Sequence, residues 1–414
     1  MPDDWLFDIH DNAADDELMS APDGVPGEIP QTPEDAVETM IGIVRQLGEN
    51  ARFTRPSGVQ AIALMPEDEE PLSLADLCAV IETCPDLLTN ADLTKTCREF
   101  GACQLPDGDF PDVIQADGTP IYNPDEDPDV EVPNTNNAIY MVWLTWLTVL
   151  RTDDNALAEE LVPKLVKAIE ALPRDERTQL ISVDPHDDEF GSTCPFATNA
   201  RKRGAVLTSS LMLVQAYQQL ADIVQHVGRD GDADIWRAQA QVVAKRVRMY
   251  FWDKTPGLFR ASTHGCKEHD LWGSVLSVYL NVATSGQLVA ISRYCSEHYD
   301  QVVRDGHVRA MPLEEFWGDC DTPRGEFENG GFWSGAAGWL AYTVGILNPE
   351  LADRVIIDLA TAFIQKGVFK ALNAEGVGRF RDFLPSAAAP MPGILKVMER
   401  RRKRAEQEAM LDDF

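Results

Sequence analysis

Two carboxylates stand directly before apolar helical segments and are the residues best suited to chemistry. Asp270 precedes Leu-Trp-Gly-Ser, and Glu328 precedes Asn-Gly-Gly-Phe-Trp. Two carboxyl groups can divide the roles of general acid and general base when their surroundings separate their pKa values. Trp272 and Trp333 follow the two acids, and burial beside an indole raises the pKa of a carboxyl. We therefore expect Asp270 and Glu328 to face one another as acid and base.

Asp270 also has a structural interpretation. Aspartate is a common N-cap residue, where its side chain accepts hydrogen bonds from backbone N–H groups. Those bonds lower the pKa of the carboxyl and oppose a role as general acid. The sequence leaves both interpretations of Asp270 open.

The loop 105–122 alternates aspartates with aromatic side chains. Its acids and rings are Asp107, Asp109, Phe110, Asp112, Asp117 and Tyr122. Carboxylates bind sugar hydroxyls and aromatic rings stack on sugar C–H faces, so the pattern favours a sugar site with Asp109 and Asp112 as ligands. The alternatives are a solvated turn or a calcium loop, although calcium ligands follow a more regular order.

The loop 307–333 holds the largest set of polar and aromatic candidates. The residues in it that we expect to contact a substrate are Arg309, Trp317, Glu326, Asn329 and Trp333, in addition to Glu328. Trp272 is expected to join them from the neighbouring helix start. Tryptophan is commonly buried, so a place in the core is the alternative for the indoles.

The histidines do not form a metal site. His269, beside Asp270, is expected to bind substrate, and Cys266 near it lacks third and fourth ligands at plausible spacing. In the loop 182–203, His186 lies among acids, where a lone histidine is more often a satisfied surface group. The basic triplet 201–203 is expected to brace this loop. We predict no catalytic metal and no cofactor.

Helices of two kinds must position these loops. The expected helices span 33–48, 73–85, 138–150, 156–171, 205–226, 233–251, 271–283, 287–300, 333–346, 350–366 and 392–411, with no convincing strand among them. The segments 138–150 and 333–346 are apolar or small on nearly every side, which is typical of buried helices. By contrast, 156–171 and 233–251 place charged residues opposite an apolar stripe.

The connections also alternate in length. Each buried helix passes to an exposed partner through a short turn, whereas the returns, such as 301–332, are long. If the buried helices run parallel in an inner ring, the long loops meet at one rim. We therefore predict an all-α fold, an (α/α)6 toroid of helical hairpins, rather than an open solenoid. The predicted units are an acidic arm (1–32), the toroid (33–390) and a basic C-terminal helix (391–414).

The charge balance excludes polyanionic partners. The chain of 414 residues has 68 acidic and 36 basic side chains, a net charge of -32. Such a surface repels nucleic acid and anionic membranes. The sequence shows no secretory signal and no apolar stretch long enough to span a bilayer, so we expect a cytoplasmic protein. Its eight scattered cysteines are expected to be reduced, and nothing indicates an oligomeric state.

Four strings of the chain resemble the six-hairpin glycosidase superfamily, which includes trehalases, processing α-glucosidases and glucoamylases. They are LPDGDFPDVIQADG, FWDKTPGLFRAST with HDLWGSVLSVYL, GHVRAMP, and ENGGFWSGAAGWLAYTV, and the resemblance covers roughly residues 100–385. It implies an inverting hydrolase of a small or terminal glycoside bound in a rim pocket. With a general acid and a general base implied at the rim, Asp270 matches the acidic position before Trp-Gly-Ser, and Glu328 matches the polar position before Asn-Gly-Gly. Asp109 and Asp112 match loop acids that commonly hold the sugar.

One departure from the family keeps alternatives open. Related sequences often carry a carboxylate near the last rim loop, where this chain has Lys370. Glu328 must then serve as the base, or the chain is an inactive sugar-binding or assembly protein on the same fold. A sugar epimerase or isomerase is a third possibility, because His264, His269 and His307 could supply the histidine pair that such proton transfer needs.

Overall fold

The chain folds into a ring of helical hairpins in the computed structural model, which describes residues 28–66, 70–122, 136–184, 192–194 and 197–412. The helices are α1 (Pro33–Asn50), α2 (Leu74–Thr83), α3 (Asn90–Ala102), α4 (Asn137–Thr152), α5 (Asn155–Ala171), α6 (Leu207–His226), α7 (Asp230–Tyr250), α8 (Leu271–Tyr279), α9 (Ser285–Glu297), α10 (Tyr299–Val302), α11 (Ala337–Val344), α12 (Pro349–Lys366), α13 (Leu384–Ala388) and α14 (Met391–Asp412). Short 3-10 helices span Pro85–Leu87 and Phe327–Asn329.

Within the described residues, six helices form an inner ring. Each packs on the next in the order α2, α4, α6, α8, α11 and α14, and α14 packs back on α2. The helices α1, α3, α5, α7, α9 and α12 pack outside them, and the contact between α1 and α12 joins the first and last helices of this outer layer. The predicted (α/α)6 toroid is therefore confirmed. The basic run near the C-terminus lies on α14, a member of this inner ring.

Sequence pattern and burial agree along the helices. The inner helix α11 is buried over almost its whole length because it is apolar or small all round. The outer helix α7 buries only small and β-branched residues such as Ala240 and Val243, and its charged side faces water. Side-chain N-caps fix several helix starts, among them Ser73, Asp154 and Asn348.

The connections between helices contain short strands. The sequence pattern did not predict these strands. They are β1 (Arg52–Thr54), β2 (Gln60–Ile62), β3 (Val113–Ile114), β4 (Pro120–Ile121), β5 (Ser182–Val183), β6 (Ser192–Cys194), β7 (Ala197–Val206), β8 (Trp252–Asp253), β9 (Leu258–Phe259), β10 (Ser262–Gly265), β11 (Val303–Arg304), β12 (His307–Arg309), β13 (Phe332–Trp333), β14 (Phe369–Leu372) and β15 (Gly378–Arg381). The longest, β7, carries basic and small residues instead of alternating apolar ones, so its sequence lacks the usual strand signal.

One antiparallel sheet ties two long connections together. Its strand order is β11-β12-β13-β14-β15, with Arg309 opposite Phe332 and Phe332 opposite Leu372. The connection before α11 and the connection before α13 are thereby held side by side. This sheet lies where inner helices begin, so it fixes the rim loops relative to α11.

Several predicted helix limits were wrong. The helix expected at 333–346 begins only at Ala337, because Trp333 belongs to β13 and pairs with Val308. The helix expected at 271–283 ends at Tyr279. An unpredicted outer helix, α3, completes the second hairpin.

The division into arm, toroid and C-terminal helix stays a prediction, since residues 1–27 lie outside the described part of the chain. None of the helices in the described part is long and apolar enough to cross a bilayer.

Candidate active site

Asp270 begins α8 as its N-cap. Its Oδ1 accepts a hydrogen bond from the Gly273 N–H at 2.7 Å, and its Oδ2 accepts one from the Thr208 hydroxyl at 3.1 Å. The side chain is only 3% exposed. The N-cap role that the sequence suggested is thus present, and both carboxylate oxygens are engaged.

A buried lysine stands beside Asp270. The Nζ of Lys202 lies 3.9 Å from Asp270 Oδ2 and 4.7 Å from the centre of the Trp317 ring. Lys202 comes from β7, where its neighbours Arg201 and Arg203 form ion pairs with Asp319. Two members of the basic triplet therefore tie β7 to the loop 307–333 through Asp319, and the sequence did not single out Lys202 as the partner of Asp270. Its position depends on the pairing of β7 with β10.

Glu328 lies in the 3-10 helix Phe327–Asn329 and is fully buried. Its Oε1 accepts a hydrogen bond from the Thr322 hydroxyl at 2.6 Å. Its Oε2 has no hydrogen-bond partner among the described residues. A buried carboxylate oxygen with unused lone pairs is suited to accept a proton from a water molecule.

Asn329 and Trp317 hold the loop over Glu328. The Asn329 Oδ1 accepts a hydrogen bond from the Trp317 N–H at 2.9 Å, and its Nδ2 donates to the Thr322 carbonyl at 2.7 Å. Gly330 follows with a φ of 111°, in the left-handed region that favours glycine. Asn329 and Trp317 are both buried, so they position the loop in this state.

Three tryptophans form a row between the starts of α8 and α11. The ring centroids of Trp272 and Trp333 are 5.1 Å apart, and those of Trp333 and Trp339 are 6.2 Å apart. Trp272 is buried and donates from Nε1 to the Val308 carbonyl, whereas Trp333 is partly exposed. Trp272 also lies 6.1 Å from the ring of Phe327. The strand β7, whose Lys202 contacts Asp270, also packs on the 3-10 helix that holds Glu328, so both carboxylates lie along the same part of the rim.

Arg309 and Glu326 differ in their exposure to solvent. The Arg309 guanidinium is 4% exposed and lies 5.3 Å from the centre of the Phe316 ring, and burial lowers its pKa. Glu326 is partly exposed, and its carboxylate lies 3.6 Å from Arg379. Of these two predicted substrate ligands, only Glu326 is open to solvent in this state.

His269 is held between two carboxylates. Its Nδ1 lies 2.7 Å from Glu315 Oε1, and its Nε2 lies 3.4 Å from Asp253 Oδ2. The hydrogen bond to Glu315 raises the pKa of His269. Burial instead lowers the pKa of His307 to about 4, and its Nδ1 contacts the Asp305 carbonyl. Both rings therefore contact oxygen atoms of neighbouring residues, those of Glu315 and Asp253 for His269 and that of Asp305 for His307.

Asp109 and Asp112 lie on another arc of the ring. Burial raises the pKa of Asp109 to about 7, although its carboxylate accepts the Phe110 N–H bond. The backbone carbonyl of Asp112 accepts the Leu74 N–H bond at 2.7 Å and so anchors the start of α2. Asp112 therefore adjoins α2, whereas Asp270 and Glu328 precede α8 and α11.

Asp76, in the first turn of α2, is a further buried carboxylate that was not predicted from the sequence. Burial raises its pKa to about 6, while the Ser73 hydroxyl donates to its Oδ2 at 2.9 Å and the charge of Lys370 opposes the shift. The spacing Ser-x-x-Asp before an apolar run is a helix-start signal that could have identified this position. Lys370, the departure from the family pattern, thus lies near a rim carboxylate.

Some predicted features cannot be placed. His186, Asp187, Asp188 and Glu189 lie outside the described residues. In the part of the chain that is described, no group of three or more His, Cys, Asp or Glu side chains could hold a metal ion.

No protein-family model matches the chain, and no similar sequence was found among curated proteins. Solved structures do match its fold. A rhamnosidase from Klebsiella oxytoca with rhamnose bound matches with a TM-score of 0.61 at 14% identity, over 92% of this chain and 66% of that one. A GH63 mannosylglycerate hydrolase from Thermus thermophilus in complex with glucose matches with a TM-score of 0.57 at 13% identity, over 86% of this chain and 99% of that one.

An α-L-rhamnosidase from Aspergillus terreus gives a TM-score of 0.53 at 12% identity, and the match covers 87% of this chain and 38% of that one. Similarity at this level of identity establishes architecture. It agrees with the fold implied by the sequence strings at the rim and with the ring of inner and outer helices. The chain has an (α/α)6 toroid fold, which it shares with these glycoside-hydrolase structures.

Proposed function

We propose that the chain is a glycoside hydrolase that cleaves a small or terminal glycoside with inversion, at the rim where the inner helices begin. The observation that carries this proposal is the row Trp272, Trp333 and Trp339 beside the carboxylates Asp270 and Glu328. Partly exposed indole surface suits the C–H face of a sugar, and carboxylates suit its hydroxyls. A mannosylglycerate hydrolase in complex with glucose and a rhamnosidase with rhamnose bound have the same fold, which supports a carbohydrate substrate.

Glu328 is our candidate for the general base. In inversion, the base takes a proton from water while the water oxygen bonds to the anomeric carbon and the glycosidic C–O bond breaks. The acid gives its proton to the departing oxygen, so each product keeps a complete hydroxyl group. The unpartnered Oε2 of Glu328 is the described carboxylate oxygen that best fits the base role.

Asp270 is our first candidate for the general acid, but its contacts set a condition on that role. The Lys202 ammonium and the Gly273 N–H group both contact the Asp270 carboxylate, and such groups commonly contact anions in proteins. To donate a proton, Asp270 must lose contact with Lys202 when substrate binds. Asp76 is the second candidate, because a pKa of about 6 keeps part of the carboxyl protonated near neutrality.

Burial of the Asp270–Lys202 pair favours a second function, that of a non-catalytic sugar-binding protein. The Lys202 side chain is 1% exposed and the Asp270 side chain is 4% exposed. A buried ion pair of this kind can hold a loop in one conformation without taking part in proton transfer. Lys370 beside Asp76 supports the same alternative. Sugar would then raise the melting temperature of the chain without being consumed.

A substrate screen distinguishes the two functions. The full-length chain is incubated with a panel of nitrophenyl glycosides and disaccharides, and release of product and sugar-dependent shifts in melting temperature are measured together. Hydrolysis that falls at least a hundredfold in Glu328→Gln, but not in the exposed rim control Glu375→Gln, supports the hydrolase. Thermal shifts without turnover across the panel support the binding protein instead.

A further inference from the structure

A basic cavity lies on the face of the toroid opposite the rim. It has a volume of about 200 Å³, and it is formed where the turn between α11 and α12 meets α14. Its floor is apolar, with Ile346, Pro349 and Val397 among the lining residues. Three arginines of α14 also line it: Arg400, Arg401 and Arg404. Three arginines thus surround one apolar cavity in a chain whose net charge is -32.

The described part of the chain begins close to this cavity. Arg401 forms an ion pair with Asp353 of α12, and its guanidinium lies 4.0 Å from Glu34 in the first turn of α1. Pro30 is buried just before that helix. Residues 1–27, which precede the described part, are therefore joined to the body of the protein beside the arginines.

The composition of residues 1–27 complements the cavity. This segment has eight carboxylates and no lysine or arginine. In it, Trp5, Leu6 and Phe7 are flanked by Asp4 and Asp8. Apolar side chains between two carboxylates match an apolar floor between arginines, and about 200 Å³ is the size of one large aromatic side chain.

We propose that the segment around Trp5–Phe7 binds in the cavity of its own chain, with its aspartates facing Arg400 and Arg404. About twenty residues separate Asp8 from Glu28, a length of chain that can span about 25 Å. Such a tether gives an effective concentration in the millimolar range, so even a weak contact is occupied. The arginines of α14 then form a binding site for an acidic, aromatic peptide that the rest of the chain carries.

A photo-crosslink in the full-length chain tests this proposal. Phe7 is replaced by p-benzoylphenylalanine, the protein is irradiated, and the attached peptide is mapped by mass spectrometry. We expect attachment to peptides that contain Ile346 or Val397, in a product with the mass of a single chain. Attachment elsewhere on the toroid, or a product of two chains whose yield rises with protein concentration, would overturn the proposal.

Matched variants separate specific binding from general attraction. Arg404→Glu should lower the crosslink yield several-fold, whereas Lys403→Glu makes the same charge change next to it, outside the cavity lining. Ile346→Asp should lower the yield, and Leu347→Asp, at a neighbouring position that is 51% exposed, should not. Asp3→Lys, Asp4→Lys and Asp8→Lys together should restore crosslinking to the Arg404→Glu chain. Equal losses in the cavity variants and their controls would contradict a specific site.

Discussion

Lys202 and Asp270 form a buried ion pair at the start of α8, with Nζ and Oδ2 3.9 Å apart. The pair joins β7 to an inner helix, and Lys202 also lies over the Trp317 ring. Thr208, from the start of α6, completes the contacts of Asp270. One carboxylate thus links two consecutive inner helices at the rim.

The Lys202–Asp270 pair should be strongly coupled in stability. Removing one member leaves a buried charge without its partner, which typically costs about 3–5 kcal/mol, whereas removing both costs less. We therefore expect the double variant Lys202→Met/Asp270→Asn to be more stable than Lys202→Met alone. Urea unfolding of the four chains in a double-mutant cycle measures the coupling. Additive losses would show that the two charges do not interact.

Asp270 and Glu328 should respond differently to the leaving group of the substrate. Asp270→Asn should lower turnover by several orders of magnitude for poor leaving groups, but much less for activated nitrophenyl glycosides, which need little protonation. Glu328→Gln should slow both classes alike because water must still be activated. Steady-state kinetics on the two substrate classes give the answer. If Asp76→Asn shows the leaving-group pattern and Asp270→Asn does not, then Asp76 is the acid.

Asp109 should destabilise the folded chain at alkaline pH. Its pKa in the folded state is raised to about 7, so the folded state binds the proton more tightly than the unfolded state does. Stability is therefore lost as pH rises from the ordinary carboxyl pKa through about 7. Allowing for solvent screening, Asp109→Asn should stabilise the chain by roughly 1–3 kcal/mol at pH 8.5 and by far less at pH 4.5. Thermal melts at the two pH values test this, and an equal effect at both would contradict it.

His269 should stabilise the chain mainly below neutrality. Because the bond to Glu315 raises its pKa, the stabilisation is fully present below the unfolded value and fades as pH rises through the folded value. The melting temperature of the wild type should exceed that of His269→Gln most at about pH 5.5, and the difference should shrink by pH 9. The exposed histidine variant His264→Gln serves as the control. A difference in melting temperature that grows as the pH rises would contradict a raised pKa of His269.

The ring of hairpins was predictable from the sequence because helix period and loop length are local signals. The helix α3 was missed because its stripe of Leu93, Cys97 and Phe100 is short and interrupted by polar residues. The start of α11 was misplaced for a non-local reason. Phe332 pairs with Leu372, forty residues downstream, and this pairing draws Trp333 into a strand.

The candidate site was predictable only in part. The positions of Asp270 and Glu328 at the starts of rim segments followed from the residues after them. Their burial did not, because it depends on Lys202 from β7 and on Thr322 from a folded loop. Contacts between segments that are distant in sequence decide which carboxylate is paired. These contacts cannot be predicted from a short stretch of sequence.

The anomeric configuration of the first product tests the central claim most directly. A glycoside that the full-length chain cleaves is followed by proton NMR before the released sugar equilibrates between its anomers. Inverting hydrolysis predicts that an α-glycoside first releases the β-anomer, since water attacks from the face opposite the departing oxygen. First release of the α-anomer would contradict the account.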